Sequence, residues 1–149
     1  VNVSVSILER ELLIAEKMGW THLGGIHKNE GWDMEAPDGS KIAIRFDEIS
    51  LDSSAHYLEL EQRSGRDSKW KASGFGLSRK KADWWVMANS EKIYVTSTKK
   101  LWTIVKKGKD ADERHSRRNL DDPEKRLFSR AHIISIEELA ACCTAIINQ

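Results

Sequence analysis

The sequence predicts an α/β domain, with a central mixed sheet flanked by helices. Three observations carry that prediction. A helix-period apolar pattern with end signals opens the chain, strand-period alternation recurs around tight turn chemistry, and a capping pattern near the end opens a last helix. With 149 residues there is enough chain for one core, so a single domain over 1–149 is expected. A composition of 40% apolar and 32% charged residues describes a globular protein and excludes a disordered one. No apolar run approaches about 18 residues, which excludes a membrane-spanning helix and a membrane partner. No basic-then-apolar leader opens the sequence, and the adjacent Cys142 and Cys143 are poorly placed to bridge each other. Both features predict a cytoplasmic protein with reduced thiols.

Residues 6–19 read as a helix, because Ser6 caps it with Glu9 three positions on and Gly19 ends it. Ile7, Leu8, Leu12, Ile14, Ala15 and Met18 cluster on one side at helical spacing. Glu11 projects near the centre of that face, where a carboxylate must be paired, hydrogen-bonded or bound to metal. Trp20–Glu30 reads as loop or edge strand, and His22 and His27 as surface or loop histidines. Residues 32–47 form a hairpin around Pro37-Asp38-Gly39, since proline presets φ and glycine accepts a positive one. Asp33 and Glu35 then share a face of the first strand, and Ala43, Arg45 and Asp47 share a face of the second.

After a polar connector, His56–Gln62 alternates as a third strand, with Tyr57, Glu59 and Glu61 on one face and Leu58 and Leu60 on the other. A glycine- and serine-bearing loop follows, with a helical turn starting at Ser78. Ala82–Ala88 is then a strand that sends Trp84 and Trp85 to opposite faces. Ile93–Thr98 reads as a strand, Lys100–Lys107 as a short helix, and residues 108–125 as a charged loop holding the basic knot Arg114, His115, Arg117 and Arg118. Leu127–Ile136 reads as an edge strand or extended segment, and Ser135 with Glu138 caps a final helix running to about Ile147.

The net charge of +1 argues against a wholly basic nucleic-acid binder, but the distribution is uneven. Seven basic residues stand between Arg63 and Lys81 against one acid, Asp67, an excess that attracts phosphates. Lys69, Lys71, Arg79, Lys80 and Lys81 are the candidate phosphate contacts. Trp70 is a candidate base-stacking side chain, and Ser73-Gly74 is a place where the backbone can approach a phosphate closely.

An aspartate on one strand of a hairpin, with Ala43-Ile44-Arg45 on the next, resembles the PD-(D/E)XK nuclease superfamily, whose second strand carries an acid-x-lysine triplet. Phe46-Asp47, Leu58-Glu59 and the segment from Ser73-Gly74-Phe75 to Lys81-Ala82-Asp83-Trp84-Trp85-Val86 resemble its phage-type members. The likeness spans roughly residues 7 to 105 and extends to junction resolvases and homing endonucleases. It implies a restriction-endonuclease-like αβββαβ core and a magnesium-dependent (or manganese-dependent) endonuclease. The implied substrate is duplex or branched DNA, with RNA ranked behind it, and the implied assembly is a homodimer. It implies catalytic positions at Asp33, Ala43, Arg45 and Glu11, with Glu9 as the alternative glutamate on the first helix. It implies metal ligands at Asp33, Glu11 and Glu59. A rival alignment takes Asp47 as the first acid and Glu59-Leu60-Glu61 as the triplet.

Two departures bear on chemistry. Magnesium held by carboxylates supplies an activated water and a Lewis acid, and a lysine beside it orients the water. Arg45 stabilises charge, but a guanidinium keeps its proton and is therefore a poor proton acceptor. The Ala43 methyl ligates nothing. The sequence is therefore that of an inactivated variant, or of a non-catalytic relative that only binds nucleic acid. Alternatively, Glu35, Asp47 or Glu59 supplies the missing ligand.

Overall fold

A computed structural model describes residues 6–64, 69–107, 112–115 and 127–149. Among these, two sheets carry the chain. Helix α1 (Ile7–Met18) leads into a short strand β1 (Thr21–His22), a 3-10 turn (Lys28–Glu30) and the hairpin strands β2 (Met34–Glu35) and β3 (Lys41–Phe46). Then come α2 (Ser50–Ser53), β4 (Ala55–Ser64), β5 (Lys71–Ala72), α3 (Phe75–Lys81), β6 (Trp84–Ala88) and β7 (Lys92–Ser97). The chain continues through α4 (Thr98–Val105), β8 (Asp112–His115), β9 (Leu127–Ser135), α5 (Ile136–Cys142) and β10 (Ala145–Asn148). The larger sheet runs β1-β2-β3-β6-β7-β10 and is mixed, with β3 and β6 parallel and the other neighbours antiparallel. The second sheet runs β5-β4-β9-β8 and is antiparallel throughout. An α/β fold with a mixed central sheet flanked by helices is what the sequence predicted.

Strand alternation builds two cores. On one face of the larger sheet, Met34, Ile42, Ile44, Val86 and Ile93 pack against Ile14 and Ala15 of α1. On the other, Ala43, Trp85, Met87 and Tyr94 meet α3, α4, α5 and the second sheet through Phe75, Leu101, Leu58, Ile134 and Leu139. Trp84 and Trp85 go to opposite faces as expected. The hairpin turn closes as its residues require: Gly39 has φ +86°, and the Asp38 carboxylate accepts from the Ser40 N–H at 2.9 Å.

Several elements differ from expectation. The third strand, β4, leaves the hairpin's sheet and becomes an inner strand of the second, while β1 supplies the third strand of the β1-β2-β3 meander. Its alternation is broken by a bulge between Glu59 and Glu61. The Ile49–Ala55 connector contains a helical turn, and α3 starts at Phe75, not Ser78. Residues 112–115, assigned to the charged loop, form β8, and the rest of 108–125 lies outside the described residues, Arg117 and Arg118 included. Strand β9 is paired on both sides, so it is no edge. The final helix stops at Cys142 and gives way to β10, whose pairing to β7 the helical spacing did not reveal. Among the described residues no helix is long and apolar enough to cross a membrane.

Candidate functional site

The hairpin does bring its two named side chains together. Strand β2 is too short to satisfy the whole of β3, and the Asp33 carboxylate takes over beyond its end. Its Oδ2 accepts from the Ile44 N–H at 2.9 Å and from Arg45 Nη1 at 3.2 Å. Asp33 is only 3% exposed, and these hydrogen bonds satisfy a carboxyl that water does not reach. The Arg45 nitrogen donates to the Ile44 carbonyl as well, at 2.6 Å, and its guanidinium carbon lies 5.5 Å from the centre of the Trp85 ring. Ala43 sits on the same face and is wholly enclosed in the core with Trp85, Phe75 and Leu58. The side chain at the acid position therefore faces packed apolar groups, not solvent.

Glu11 is buried, as its place on the helix predicted, but its partners are histidine and lysine. His22 Nε2 lies 2.9 Å from one carboxylate oxygen and Lys28 Nζ 3.5 Å from the other. His22 is thus a paired, largely buried residue, a correction to its reading as a surface or loop histidine. Around Glu11 the helix is turned so that Ile7, Leu8 and Leu12, expected in the core, are exposed. Glu9 lies exposed on α1, where its backbone N–H bonds the capping Ser6 hydroxyl. Glu59 is on the second sheet, where its carboxylate accepts from the Gln62 amide at 3.3 Å. Asp33, Glu11 and Glu59 thus each have different partners, and among the described residues no group of three His, Cys, Asp or Glu side chains is placed to hold a metal ion.

A cleft of about 650 Å³ opens between the two sheets, lined by Arg45, Asp47, His56, Glu59, Gly74 and Trp85 among others. Sequence reasoning missed His56 here. Its signal is visible only in retrospect: it begins the alternation that continues through Leu58 and Leu60. It is 2% exposed and tied at both ring nitrogens. The Trp85 indole N–H donates to His56 Nε2 at 3.2 Å, so Nδ1 carries the proton and donates to Asp47 Oδ2 at 2.8 Å. Asp47 also accepts from the backbone of Ser50 at 3.2 Å and of Tyr57 at 3.4 Å. This chain of bonds links β3, β4 and β6 across the two sheets.

Burial alone would raise the Asp47 carboxyl; the hydrogen bond from His56 and the two backbone N–H groups outweigh it and hold the group below its ordinary 3.8. A carboxylate depressed on folding stabilises the fold above its unfolded pKa, and that contribution is lost as pH falls through the folded value. Urea midpoints are therefore expected to drop as pH falls from 3.8 downward, and Asp47→Asn is expected to flatten the decline. An Asp47→Asn profile as steep as that of the parent would show that the pair does not carry the acid response.

The predicted nucleic-acid residues fall into two groups. Trp70 lies against the second sheet, with the guanidinium of Arg63 4.6 Å and that of Arg130 4.0 Å from its ring centre. Its surface thus stacks on arginines, and Lys69 and Lys71 beside it are exposed. Ser73 is buried, with a hydroxyl that has no hydrogen-bond partner among the described residues, and Gly74 carries φ +52° over Glu59. A Cβ at Gly74 would stand 2.9 Å from Glu59 Cβ, so close approach to β4 explains this glycine. Arg79, Lys80 and Lys81 form the last turn of α3, away from Trp70 in the chain and joined instead to α4. The thiols do no chemistry here: both are free, and burial followed by the neighbouring Cys142 pushes Cys143 up to about 12. The sequence matches no protein-family model and no curated protein, so these residues must be interpreted from their own geometry.

Proposed function

We propose that this chain is a nucleic-acid-binding domain on an endonuclease-like scaffold whose hydrolytic centre is incomplete. The enclosed methyl of Ala43 carries the reading: the position that resembles the ligand acid lies in an apolar core, beside an Asp33 carboxylate already engaged by Ile44 and Arg45. The order of elements supports the scaffold half. Without the second sheet and the single turn α2, it runs helix, three strands, helix and a strand parallel to the third, which is the αβββαβ order of the resemblance. The binding half is supported by exposed Lys69 and Lys71 on either side of Trp70, since such cations neutralise phosphates and release counterions. Fluorescence anisotropy with duplex DNA, branched DNA and RNA is expected to give binding that persists in EDTA and weakens with salt. Lys69→Gln/Lys71→Gln should lower the salt slope by about 2. Failure to bind any of the three nucleic acids would refute the reading.

A second reading, a magnesium-dependent endonuclease, is favoured by one observation: Arg45, Asp47 and Glu59 line the same cleft. Under it, cleavage of DNA in magnesium or manganese would disappear in EDTA and in Glu59→Gln. Under the first reading no metal-dependent cleavage occurs.

A further inference from the structure

We propose that α3 and α4 together form a ridge that tracks the phosphate backbone of a nucleic-acid duplex. This rests on the binding reading above and assigns it a second surface, separate from Trp70. The two helices are packed neighbours, and neither contains an acid. Their cations are Arg79, Lys80 and Lys81 at the end of α3, Lys99 and Lys100 in the first turn of α4, and Lys106 and Lys107 just beyond its end. All six lysines are exposed, and none forms an ion pair among the described residues. The guanidinium of Arg79 lies 3.8 Å from the centre of the Trp102 ring, which ties the helices together and fixes one cation between the two rows.

Helix stability does not explain this placement. Cations in a first turn oppose the helix dipole, so Lys99 and Lys100 stand where acids would serve α4 better. An anion laid across that end reverses the sign. Spacing gives the anion its shape: Lys99 and Lys106, and likewise Lys100 and Lys107, are two helical turns apart and form rows about 10 Å long. That length matches about three base steps of a duplex strand at roughly 3.4 Å each. A duplex fits better than a single strand, because the aromatic beside the ridge, Trp102, is half-buried beneath Arg79 and offers no base-stacking platform. An anionic membrane fits worse, since the exposed aliphatics Ile7, Leu8, Leu12 and Leu13 lie on α1, across the larger sheet.

The test is a salt series of anisotropy titrations on the full chain with a labelled duplex. The variants are Lys99→Gln/Lys100→Gln/Lys106→Gln/Lys107→Gln on α4 and, independently, Lys80→Gln/Lys81→Gln on α3. Each lysine that touches a phosphate contributes about 0.9 to the slope of log K against log salt, so the α4 variant should lose roughly 2–4 and the α3 variant about 1–2. Lys92→Gln, at the far end of β7, should change neither slope nor affinity. If both variants keep the parent's slope while the parent binds duplex, the ridge is overturned and the binding reading stands. If the parent binds no nucleic acid, both fall. Tighter binding of the parent to phosphatidylserine vesicles than to duplex, lost in the α4 variant, would overturn the ridge as a nucleic-acid surface.

Discussion

Gly76→Ala is expected to lower stability by about 3 kcal/mol or more, against what helix propensity alone suggests. Gly76 lies within α3, where alanine is ordinarily favoured by about 1 kcal/mol. The surroundings reverse this. A Cβ there would stand 1.9 Å from the Leu60 carbonyl oxygen, 2.6 Å from its carbon and 2.8 Å from Leu60 Cα. These are backbone atoms at the bulge of β4, so no rotamer change relieves the collision. The same bulge carbonyl accepts from the Ser73 N–H at 3.1 Å, and β4 is thereby fastened to the loop that leads into α3. Displacing α3 would move Gly74 from the cleft and Phe75 from its edge-on contact with Trp85, 5.2 Å between ring centres. Urea denaturation should show the loss, with duplex affinity falling alongside it. A variant as stable as the parent would mean that α3 does not dock on β4 through this glycine.

What was legible in the sequence was local. Ser6, Gly19, Asp38 and Gly39 act on their own backbone neighbours, so α1 and the hairpin turn follow from residues a few positions apart. Glu11 was legible as a residue needing partners, because helical spacing sets it among apolar neighbours whatever the rest of the fold does. Its partners were not, since His22 reaches it only once β1 has paired with β2. Alternation gave β4 its faces as far as the bulge at Leu60, but not its sheet: a period of two says which side chains point together and nothing about which strand lies beside them. The end of the chain shows the same limit. Residues 136–147 keep helical spacing, yet Thr144 donates to the Val95 carbonyl at 2.8 Å and the β-branched Ile146 and Ile147 join β7. Tertiary pairing outweighed the pattern. At the candidate site, the closeness of Asp33 and Arg45 was legible from the turn. The enclosure of Ala43 was not, because the groups that enclose it come from β4, α3 and β6.

Ala43→Glu separates the binding reading from that of a nuclease silenced by the loss of one acid, because the two expect opposite results. If the scaffold is a nuclease lacking only this acid, restoring it should produce cleavage in magnesium. The packing argues for the other outcome. Ala43 is 0% exposed between Trp85, Phe75 and Leu58, and no space there accepts a carboxylate and two methylenes without moving large side chains. Overpacking of this kind costs about 1–3 kcal/mol, and burying a carboxyl without a partner adds to it. Arg45 shares that strand face, but it is already bonded to Asp33 and the Ile44 carbonyl. A second carboxylate would compete for it and leave one of the two acids unpaired. The expected result is therefore a loss of about 3 kcal/mol or more in urea, with no metal-dependent cleavage of duplex, branched DNA or RNA. Ala43→Ser, which adds one oxygen in nearly the same volume, should fold at a smaller cost and also cut nothing. Cleavage by a stably folded Ala43→Glu protein, abolished by EDTA, would reverse the conclusion. It would mean that this core opens toward the cleft and that the chain is one side chain short of a nuclease.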